Sequence, residues 1–322
     1  MTDAPSPLRP AAPGSAPRAA WPTMLETRGW EDYALLDFGL GRKLERYGDV
    51  VVDRPEPQAM GRRHLSDAAW DAADAVFTGQ DDDDGPGRWR LNRDLPETWQ
   101  MRYGKAAFLG RFMSFRHVGV FPEQAAHWQW MADTIEKTPA ERPLKVLNLF
   151  GYTGLGSLIP ASVGAQVTHI DASKKAIGWA RENQELSGME DLPIRWICED
   201  AMKFVAREVK RGNTYDGILL DPPKYGRGPK GERWRIETDL VPLLDGCRQI
   251  LSDTPRFLLL TIYAIRASSQ AAHYALSDVM AGAGGTVSSG ELVSVEAQPD
   301  PRVIAQANYA RWAPEDQEPA NG

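Results

Sequence analysis

The sequence predicts an α/β protein: a doubly wound, mostly parallel sheet preceded by a small antiparallel β-rich domain. In residues 144–156, L-K-V-L-N-L-F-G-Y-T-G-L-G, a short apolar run stops at a glycine-rich turn before a second apolar segment. This pattern is typical of a strand, a tight turn and a helix. Later apolar runs each end at an acidic residue, as strands of one sheet do when a site lies at their ends. Earlier, residues 31–116 alternate short strand patterns with turns, which predicts hairpins.

The composition limits the class of protein. A length of 322 residues suits one large and one smaller domain, and a hydrophobic fraction of 42% is enough for a full core. The net charge of −7 argues against a surface coated in positive charge for nonspecific nucleic-acid binding, but it is compatible with local basic patches. Two cysteines form no disulfide framework, and we find no membrane-spanning run or signal peptide. We therefore expect a cytoplasmic protein with no membrane partner.

The first part of the chain is predicted to be a tail followed by hairpins. Residues 1–24 are rich in alanine and proline and have little to bury, which indicates a disordered tail. Residues 33–38, 43–47 and 50–53 form strand patterns separated by short glycine turns. Residues 68–77 are interpreted as a short helix with two apolar side chains facing inward.

Residues 88–116 combine basic and aromatic side chains. Seven positive charges stand against two acids, a net charge of +5, and six aromatic residues alternate with them. Such a small β unit suits an RNA backbone with splayed, stacked bases. The same alternation also arises in a sheet with one apolar face and one charged face, and the sequence leaves both interpretations open.

The second half of the chain reads as alternating helices and strands. Residues 125–135 are a predicted helix before the glycine turn, and residues 240–251 and 269–281 are predicted helices after it. A strand at 257–263 lies between the last two. A hairpin of 286–297 with 302–310 closes the fold.

Four strand ends carry the predicted site. The turn after the first strand contains Gly151 and Gly154, where glycine permits positive φ and close ligand approach, and the next helix start favours a polar or anionic group. Asp171 ends the second strand, where a carboxylate can accept both hydrogen bonds of a ribose diol. Asp200 follows the third strand, and Asp221 follows the fourth. The glycine spacing, G-x-x-G-x-G, differs from the usual dinucleotide fingerprint and speaks against a nucleotide-binding oxidoreductase.

At these residues the chain resembles a known family. Residues 146–225 resemble a class I S-adenosylmethionine (SAM) methyltransferase. Residues 35–312 resemble the bacterial large-subunit (23S) rRNA methyltransferases that act on cytosine C5 or guanine N7. The matching motifs are L-N-L-F-G-Y-T-G, D-A-S-K-K-A, E-D-A, D-P-P-K-Y and, upstream, H-V-G-V-F-P-E-Q. The resemblance implies a Rossmann-like seven-stranded sheet ending in a reversed hairpin, with SAM as cofactor and no metal.

The four chemical parts of SAM need different partners. We expect the glycine turn to approach the amino-acid end, Asp171 to take the ribose hydroxyls, and Asp200 with the Ala201 N–H to meet the adenine. The resemblance adds contacts to the methionine end from Glu123 and Gln124, although the usual family pattern, Asp-Gln-Arg, has lost its arginine here. The predicted cofactor residues are Glu123, Gln124, Phe150, Gly151, Tyr152, Thr153, Gly154, Asp171, Ala172, Ser173, Asp200 and Ala201.

The predicted catalytic residues are Asp221, Pro222, Pro223, Lys224 and Tyr225. Two prolines stiffen this loop, so the Asp221 carboxylate and the Pro222 carbonyl can accept hydrogens from a planar amine. Tyr225 is expected to stack on a base, and Lys224 to pair with a phosphate. Residues 224–235 carry a net charge of +4, which favours an anionic substrate, although a solvated loop is the alternative.

The absence of one cysteine limits the type of methylation that we expect. Family members that methylate cytosine C5 use a cysteine that adds to the base, and residues 261–266 contain none where the resemblance places it. We therefore expect methylation of a ring or exocyclic nitrogen of an rRNA base. The alternatives are a SAM-dependent enzyme acting on a protein or small molecule, and an RNA-binding module without catalysis. The predicted segments are a tail (1–24), a β-rich substrate-side domain (25–120), a SAM-binding domain (121–313) and a tail (314–322).

Overall fold

The computed structural model describes residues 18–19, 22–79, 87–263 and 267–315. These residues form two compact units. The described parts of Met1–Met24, His127–Glu291 and Ala307–Gly322 make the first unit, and Leu25–Ala126 with Leu292–Gln306 make the second. Each unit is described by itself below. None of the helices in the described ranges has the length and apolar character needed to cross a bilayer.

The secondary structure alternates strands and helices in the second half of the chain. The strands are β1 (Arg18–Ala19), β2 (Thr23–Thr27), β3 (Tyr33–Gly39), β4 (Arg42–Tyr47), β5 (Val50–Pro55), β6 (Ala75–Gly79), β7 (Gly87–Leu91), β8 (Thr98–Tyr103), β9 (Ala106–Arg111), β10 (Lys145–Leu149), β11 (Gln166–Asp171), β12 (Ile194–Cys198), β13 (Gly217–Leu220), β14 (Tyr225–Arg227), β15 (Arg233–Arg235), β16 (Phe257–Ile262), β17 (Thr286–Val295) and β18 (Val303–Ala313). The α-helices are α1 (Asp67–Asp71), α2 (Ala125–Lys137), α3 (Leu155–Ser162), α4 (Lys174–Leu186), α5 (Ala201–Arg211), α6 (Ile236–Gln249) and α7 (Ser269–Val279).

A mixed central sheet organises the first unit. Its strand order is β1-β17-β18-β16-β13-β10-β11-β12, with β2 beside β17. Strands β12, β11, β10, β13 and β16 run parallel, and β18 is antiparallel to β16. The seven strands from β12 to β17 confirm the predicted α/β sheet with a reversed final hairpin. The short strands β1 and β2 replace the predicted tail at residues 18–19 and 23–24, while residues 1–17 lie outside the described part.

The strand registers align the carboxyl ends of the parallel strands. Leu149, the last residue of β10, lies opposite Ile170 of β11 and Leu220 of β13. Asp171 lies opposite Cys198 at the end of β12. The residues that follow these strands therefore start from one edge of the sheet, which is where ligands bind in open α/β folds.

Helices on the sheet explain why its strands read as continuous apolar runs. All six residues of β16, F-L-L-L-T-I, are buried, as parallel strands covered on both faces should be. The core includes fully buried Leu147, Ile218 and Leu258 of the sheet with Leu243 and Leu244 of α6. Each of these side chains stabilises the fold by about 1.5–3 kcal/mol through removal from water.

The second unit is β-rich, as predicted. Strands β3, β4 and β5 form antiparallel pairs, β6 joins β5 in parallel, and β7 completes the sheet. The helix predicted over 68–77 was wrong in its second half: α1 ends at Asp71, and β6 occupies the rest. Val76, Phe77 and Thr78 are β-branched or aromatic and therefore favour a strand. Pairing with β7 stabilises the strand over the helix.

Five of the six aromatic residues of 88–116 are buried or half-buried in the second unit, and Phe115 is exposed. Trp99 and Phe108 are buried, and the Phe112 ring lies 4.9 Å from both Trp89 and Trp99. Arg116 is also buried and donates to the Pro55 carbonyl at 2.7 Å. These contacts favour the packing interpretation of this segment over the RNA-stacking one.

Buried charges also hold the second unit together. Arg54 donates to both oxygens of Glu45, at 2.5 and 3.1 Å, and Lys43 lies 3.5 Å from the same carboxylate. All three side chains are nearly inaccessible to solvent. Burial opposes ionisation of Glu45, but Arg54 and Lys43 outweigh it and lower its pKa to about 2.

Candidate functional site

The turn after β10 is strained and tightly packed. Phe150 (φ 60°) and Tyr152 (φ 50°) adopt left-handed conformations despite having side chains, and Gly154 (φ 92°) caps the start of α3. Left-handed backbone at ordinary residues costs about 1–3 kcal/mol each, and it concentrates at functional sites. The amide groups of the first turn of α3 receive no side-chain cap. The start of α3, directly after the glycine turn, is therefore the part of this segment that can meet a polar or anionic group.

Gly151 and Gly154 are needed for space. A Cβ on Gly151 would lie 2.3 Å from the His169 ring, and one on Gly154 would lie 2.9 Å from the Ala180 Cβ. Gly154 also has the positive φ that the sequence predicts for this turn, whereas Gly151 does not. The close approach at Gly151 is therefore between the turn and β11 of the same sheet. The spacing of glycines along the sequence does not predict this contact.

The buried His169 ring packs against the glycine turn. It is not among the residues that the sequence predicts for the site. Asn148 Nδ2 donates to Ser157 Oγ at 2.9 Å, and Ser157 Oγ lies 2.9 Å from His169 Nδ1. The His169 ring also packs 4.6 Å from the Trp196 ring. Complete burial lowers the pKa of His169 to about 3, so the ring is neutral at physiological pH. The sequence feature that could have identified this residue is a histidine in the middle of a predicted buried strand.

Asp171 connects the turn to the next loop. Its two carboxylate oxygens accept hydrogen bonds from the backbone N–H groups of Tyr152 at 2.9 Å and Ser173 at 2.7 Å. Burial raises the pKa of Asp171, and these two bonds partly offset that effect. Each oxygen keeps a further lone pair, so the carboxylate can hold the turn and still accept from a diol.

Ala172 and Ser173 lie between this carboxylate and the first residue of α4. The Ser173 side chain caps α4 by accepting from the Ala176 N–H at 3.2 Å. The Ala172 carbonyl accepts a weak bond from the Cys198 thiol at 3.5 Å. Thr153 of the turn is buried, and its carbonyl accepts from Asn183 of α4 at 2.9 Å. The bond between Asn183 and Thr153 therefore ties α4 to the glycine turn.

Asp200 and Ala201 lie at the start of α5. Asp200 is the N-cap residue, and its Oδ1 accepts from the Lys203 N–H at 2.9 Å. Burial is the main cause that raises the Asp200 pKa. The cap uses Oδ1 and fixes the orientation of the side chain. Oδ2 can then accept a hydrogen bond from a ligand. Capping and ligand contact are thus compatible roles for one side chain.

The Asp221-Pro222-Pro223 loop follows β13 and starts at the aligned strand ends. The Asp221 N–H donates to the Leu149 carbonyl at 3.4 Å, which joins this loop to the strand before the glycine turn. Trp234 Nε1 donates to the Pro223 carbonyl at 2.6 Å, and its ring packs 5.0 Å from Phe150. The buried Trp234 thus contacts both the proline loop and the glycine turn, a role the sequence analysis missed.

Lys224 and Tyr225 extend away from the loop. Tyr225 is 61% exposed and begins β14, which pairs with β15. Lys224 Nζ lies 5.4 Å from the centre of the Tyr225 ring, a cation–π distance. The predicted stacking residue therefore lies on a short ordered hairpin that the sequence analysis treated as a loop.

Glu123 and Gln124 belong to the second unit. They lie in a short 3-10 helix, Pro122–Gln124, and the Glu123 side chain is buried. Burial raises the Glu123 pKa, and the positive charges of Lys43 and Arg54 oppose that rise. Their predicted contact with SAM stays a prediction.

Comparisons with known proteins agree with this geometry. No protein-family model matches the sequence. A solved SAM-dependent methyltransferase from Agrobacterium tumefaciens is 54% identical, with a TM-score of 0.90 over 94% of this chain and 97% of that one. Among curated proteins, ribosomal RNA large subunit methyltransferase K/L of Desulfotalea psychrophila is 29% identical over 163 residues, 50% of this chain. Ribosomal RNA large subunit methyltransferase I of Klebsiella pneumoniae is 37% identical over 83 residues, 25% of this chain.

The curated relatives and the solved structure match this chain over very different lengths. The matched stretches span 21% and 20% of the two curated relatives, so those matches concern a part of each protein. The match to the Agrobacterium structure extends over nearly the whole of both chains. Together with the strained glycine turn and the aligned strand ends, it establishes that the chain belongs to the SAM-dependent methyltransferases.

Proposed function

We propose that this enzyme transfers a methyl group from SAM to a ring or exocyclic nitrogen of a base in ribosomal RNA. The observation that carries the proposal is the Asp221-Pro222-Pro223 loop, which starts at the aligned strand ends and is anchored by Trp234. The curated relatives supply the substrate class, because both are named as ribosomal RNA methyltransferases. We further propose a cytoplasmic location, because ribosomal RNA is the substrate.

The aligned strand ends provide acceptors for each part of SAM. The backbone of the glycine turn meets the amino-acid end, and Asp171 takes the ribose hydroxyls with the lone pairs that Tyr152 and Ser173 leave free. Asp200 Oδ2 accepts from the adenine amino group, and the Ala201 N–H donates to the ring.

The proline loop orients the methyl acceptor. The Pro223 carbonyl accepts a hydrogen bond from Trp234. We assign the Asp221 carboxylate and the Pro222 carbonyl as the acceptors for a substrate amine. They align the nitrogen lone pair with the S–CH3 bond of SAM. The N–CH3 bond forms as the S–CH3 bond breaks, and S-adenosylhomocysteine leaves. An exocyclic amine then gives its proton to the Asp221 carboxylate or to water, whereas a ring nitrogen that carries no proton keeps the positive charge. Holding the two reactants in line supplies most of the acceleration.

The positions of the cysteines favour nitrogen over carbon methylation. Cys247 is fully buried in α6, and Cys198 ends β12, where burial raises its pKa. Neither follows β13 or β16, the strands that lead into the proposed acceptor site. Methylation of a base nitrogen needs no enzyme nucleophile, because the nitrogen lone pair attacks directly.

Labelled methyl transfer tests this function. Incubation with methyl-labelled SAM and ribosomes, deproteinised rRNA, total protein or small metabolites should place label in rRNA, and nucleoside mass spectrometry should identify an N-methylated base. RNA containing 5-fluorocytosine should not trap the enzyme covalently. Label confined to protein or metabolites would refute the RNA assignment, and a covalent adduct would refute nitrogen chemistry.

Replacing one acceptor tests the role of the loop. Asp221→Asn keeps the shape of the side chain but removes its charge, so the methyl-transfer rate should fall about a hundredfold or more. The SAM dissociation constant, measured by calorimetry, should stay within about twofold, because we assign Asp221 to the acceptor rather than to SAM. An unchanged rate would contradict this assignment.

A further inference from the structure

Strands β14 and β15, which we name the arginine hairpin, form an ordered two-stranded element directly after the proline loop. Tyr225 lies opposite Arg235, and Arg227 lies opposite Arg233. The Gly228 N–H donates to the Glu232 carbonyl at 2.9 Å and closes the turn.

The two faces of the arginine hairpin differ sharply. Alternation along a strand sends every second side chain to the same side. Trp234 points inward and is buried. Tyr225, Arg227, Arg233 and Arg235 are all exposed on the outer face. One tyrosine ring and three guanidinium groups are therefore presented together.

Several contacts fix this face to the methyltransferase unit. Trp234 is bound to the Pro223 carbonyl and packs on Phe150. Glu232 forms an ion pair with Lys203 of α5 and accepts from the Lys230 N–H at 2.8 Å. The hairpin is thereby held in one position before any partner arrives, which reduces the ordering cost of binding.

The outer arginines differ from Arg142 and Arg207 of the same unit, which are ion-paired. Arg142 lies 2.6 Å from Asp216, and Arg207 lies 3.0 Å from Glu199. Arg227, Arg233 and Arg235 form no ion pair with any carboxylate of the described residues; they are left for an external anion. This arrangement stands out in a chain whose net charge is −7.

We infer that the arginine hairpin binds an unpaired segment of the RNA substrate, with one base stacked on Tyr225 and neighbouring phosphates on Arg227, Arg233 and Arg235. Lys224 contacts the Tyr225 ring, and the ring is still 61% exposed, so a base can stack on it. A base inside a duplex has no free face for this contact, which selects single-stranded RNA. The inference rests on the proposed function and names the element that delivers RNA to the proline loop.

Binding of a fluorescent RNA oligonucleotide to the full chain, followed by anisotropy, tests the inference. The triple variant Arg227→Gln/Arg233→Gln/Arg235→Gln should bind at least about tenfold more weakly, and the slope of log Kd against log salt should fall by about 2, or roughly 0.7 for each phosphate contact. Tyr225→Ala should weaken binding of the single strand about tenfold, whereas Tyr225→Phe should retain it.

The matched control removes three exposed positive charges elsewhere in the same unit: Lys137→Gln/Arg181→Gln/Lys210→Gln. It should bind RNA as the wild type does, and calorimetry should give unchanged SAM affinity for both triple variants. Equal loss in both triple variants, equal affinity for the matching RNA duplex, or competition by polyglutamate as strong as that by RNA would overturn the inference. Failure of the proposed function is separate: it would appear as wild-type enzyme that puts no methyl group into rRNA.

Discussion

At the scale of single residues, Asp171 has two roles that reinforce each other. It fixes the backbone of Tyr152 and Ser173, and we propose that it also holds the ribose of SAM. Its first role explains how a turn with two left-handed, non-glycine residues is maintained. A ligand that binds the same carboxylate therefore finds its site already ordered, which lowers the entropic cost of binding.

Asp171→Ala should weaken SAM binding by at least about tenfold, since hydrogen bonds to a charged group contribute roughly 1.5–3 kcal/mol each. Calorimetry of the purified chain measures the dissociation constant. Asp191→Ala removes an exposed carboxylate from the loop after α4 and should leave the constant unchanged. Equal affinities for the wild type and Asp171→Ala would contradict the ribose assignment.

Gly151 tests the packing under the turn. Gly151→Ala places a methyl group 2.3 Å from the His169 ring, so the turn or the buried ring must shift, which should destabilise the fold by about 1–3 kcal/mol and weaken SAM binding. Gly178 lies in the exposed middle of α4, where an added methyl group would meet open space, so Gly178→Ala should stabilise the fold by about 0.5–1 kcal/mol. Urea unfolding compares the two, and equal effects would refute the packing argument.

At the scale of elements, the charge cluster of β4 and β5 should govern the stability of the second unit. Glu45→Gln leaves Arg54 buried without its carboxylate, which should cost about 3–5 kcal/mol, whereas Lys43 keeps Glu56 at 3.3 Å. The folded-state pKa of Glu45 is about 2, below its unfolded value, so this stabilisation is present above about pH 4.3 and is lost as the pH falls toward 2.

Denaturant unfolding of Glu45→Gln, monitored at neutral pH by tryptophan fluorescence, measures this cost. The exposed Glu31→Gln variant removes one carboxylate near the start of β3 and should change stability by less than about 0.5 kcal/mol. If the two variants unfold at the same denaturant concentration, the cluster does not contribute as we describe.

The elements also mark how far the sequence predicts this fold. The continuous apolar segments β10, α3 and β16 were predicted correctly, because apolar pattern and glycine position act locally. The predictions that failed are the helix over residues 72–77 and the loop at the arginine hairpin. In the structure, β6 and the hairpin strands each form against a partner strand. Local pattern cannot identify that partner. The same limit applies to Trp234, whose bond to Pro223 joins residues eleven positions apart along the chain.

At the scale of the whole molecule, the buried histidines link stability to pH. His127 Nδ1 accepts from the Arg311 guanidinium at 2.9 Å, and His169 is enclosed under the glycine turn. Burial lowers the pKa of both rings, for His169 to about 3. The unfolded chain, where a histidine has a pKa of about 6.5, therefore binds protons that the folded protein does not.

Because the unfolded chain binds more protons, the free energy of unfolding should fall as the pH drops below about 6.5. The expected fall is about 1.4 kcal/mol per pH unit for each such histidine. Urea unfolding between about pH 7.5 and 5.0 measures the slope. His169→Gln, which preserves a polar side chain but has no proton to gain, should reduce the slope by about that amount whatever its effect on absolute stability. The exposed His64→Gln serves as the control for removing a histidine that lies outside the core. A His169→Gln slope equal to that of the wild type would mean that the ring under the glycine turn can take up a proton in the folded state, which its burial between Ser157 and Trp196 argues against.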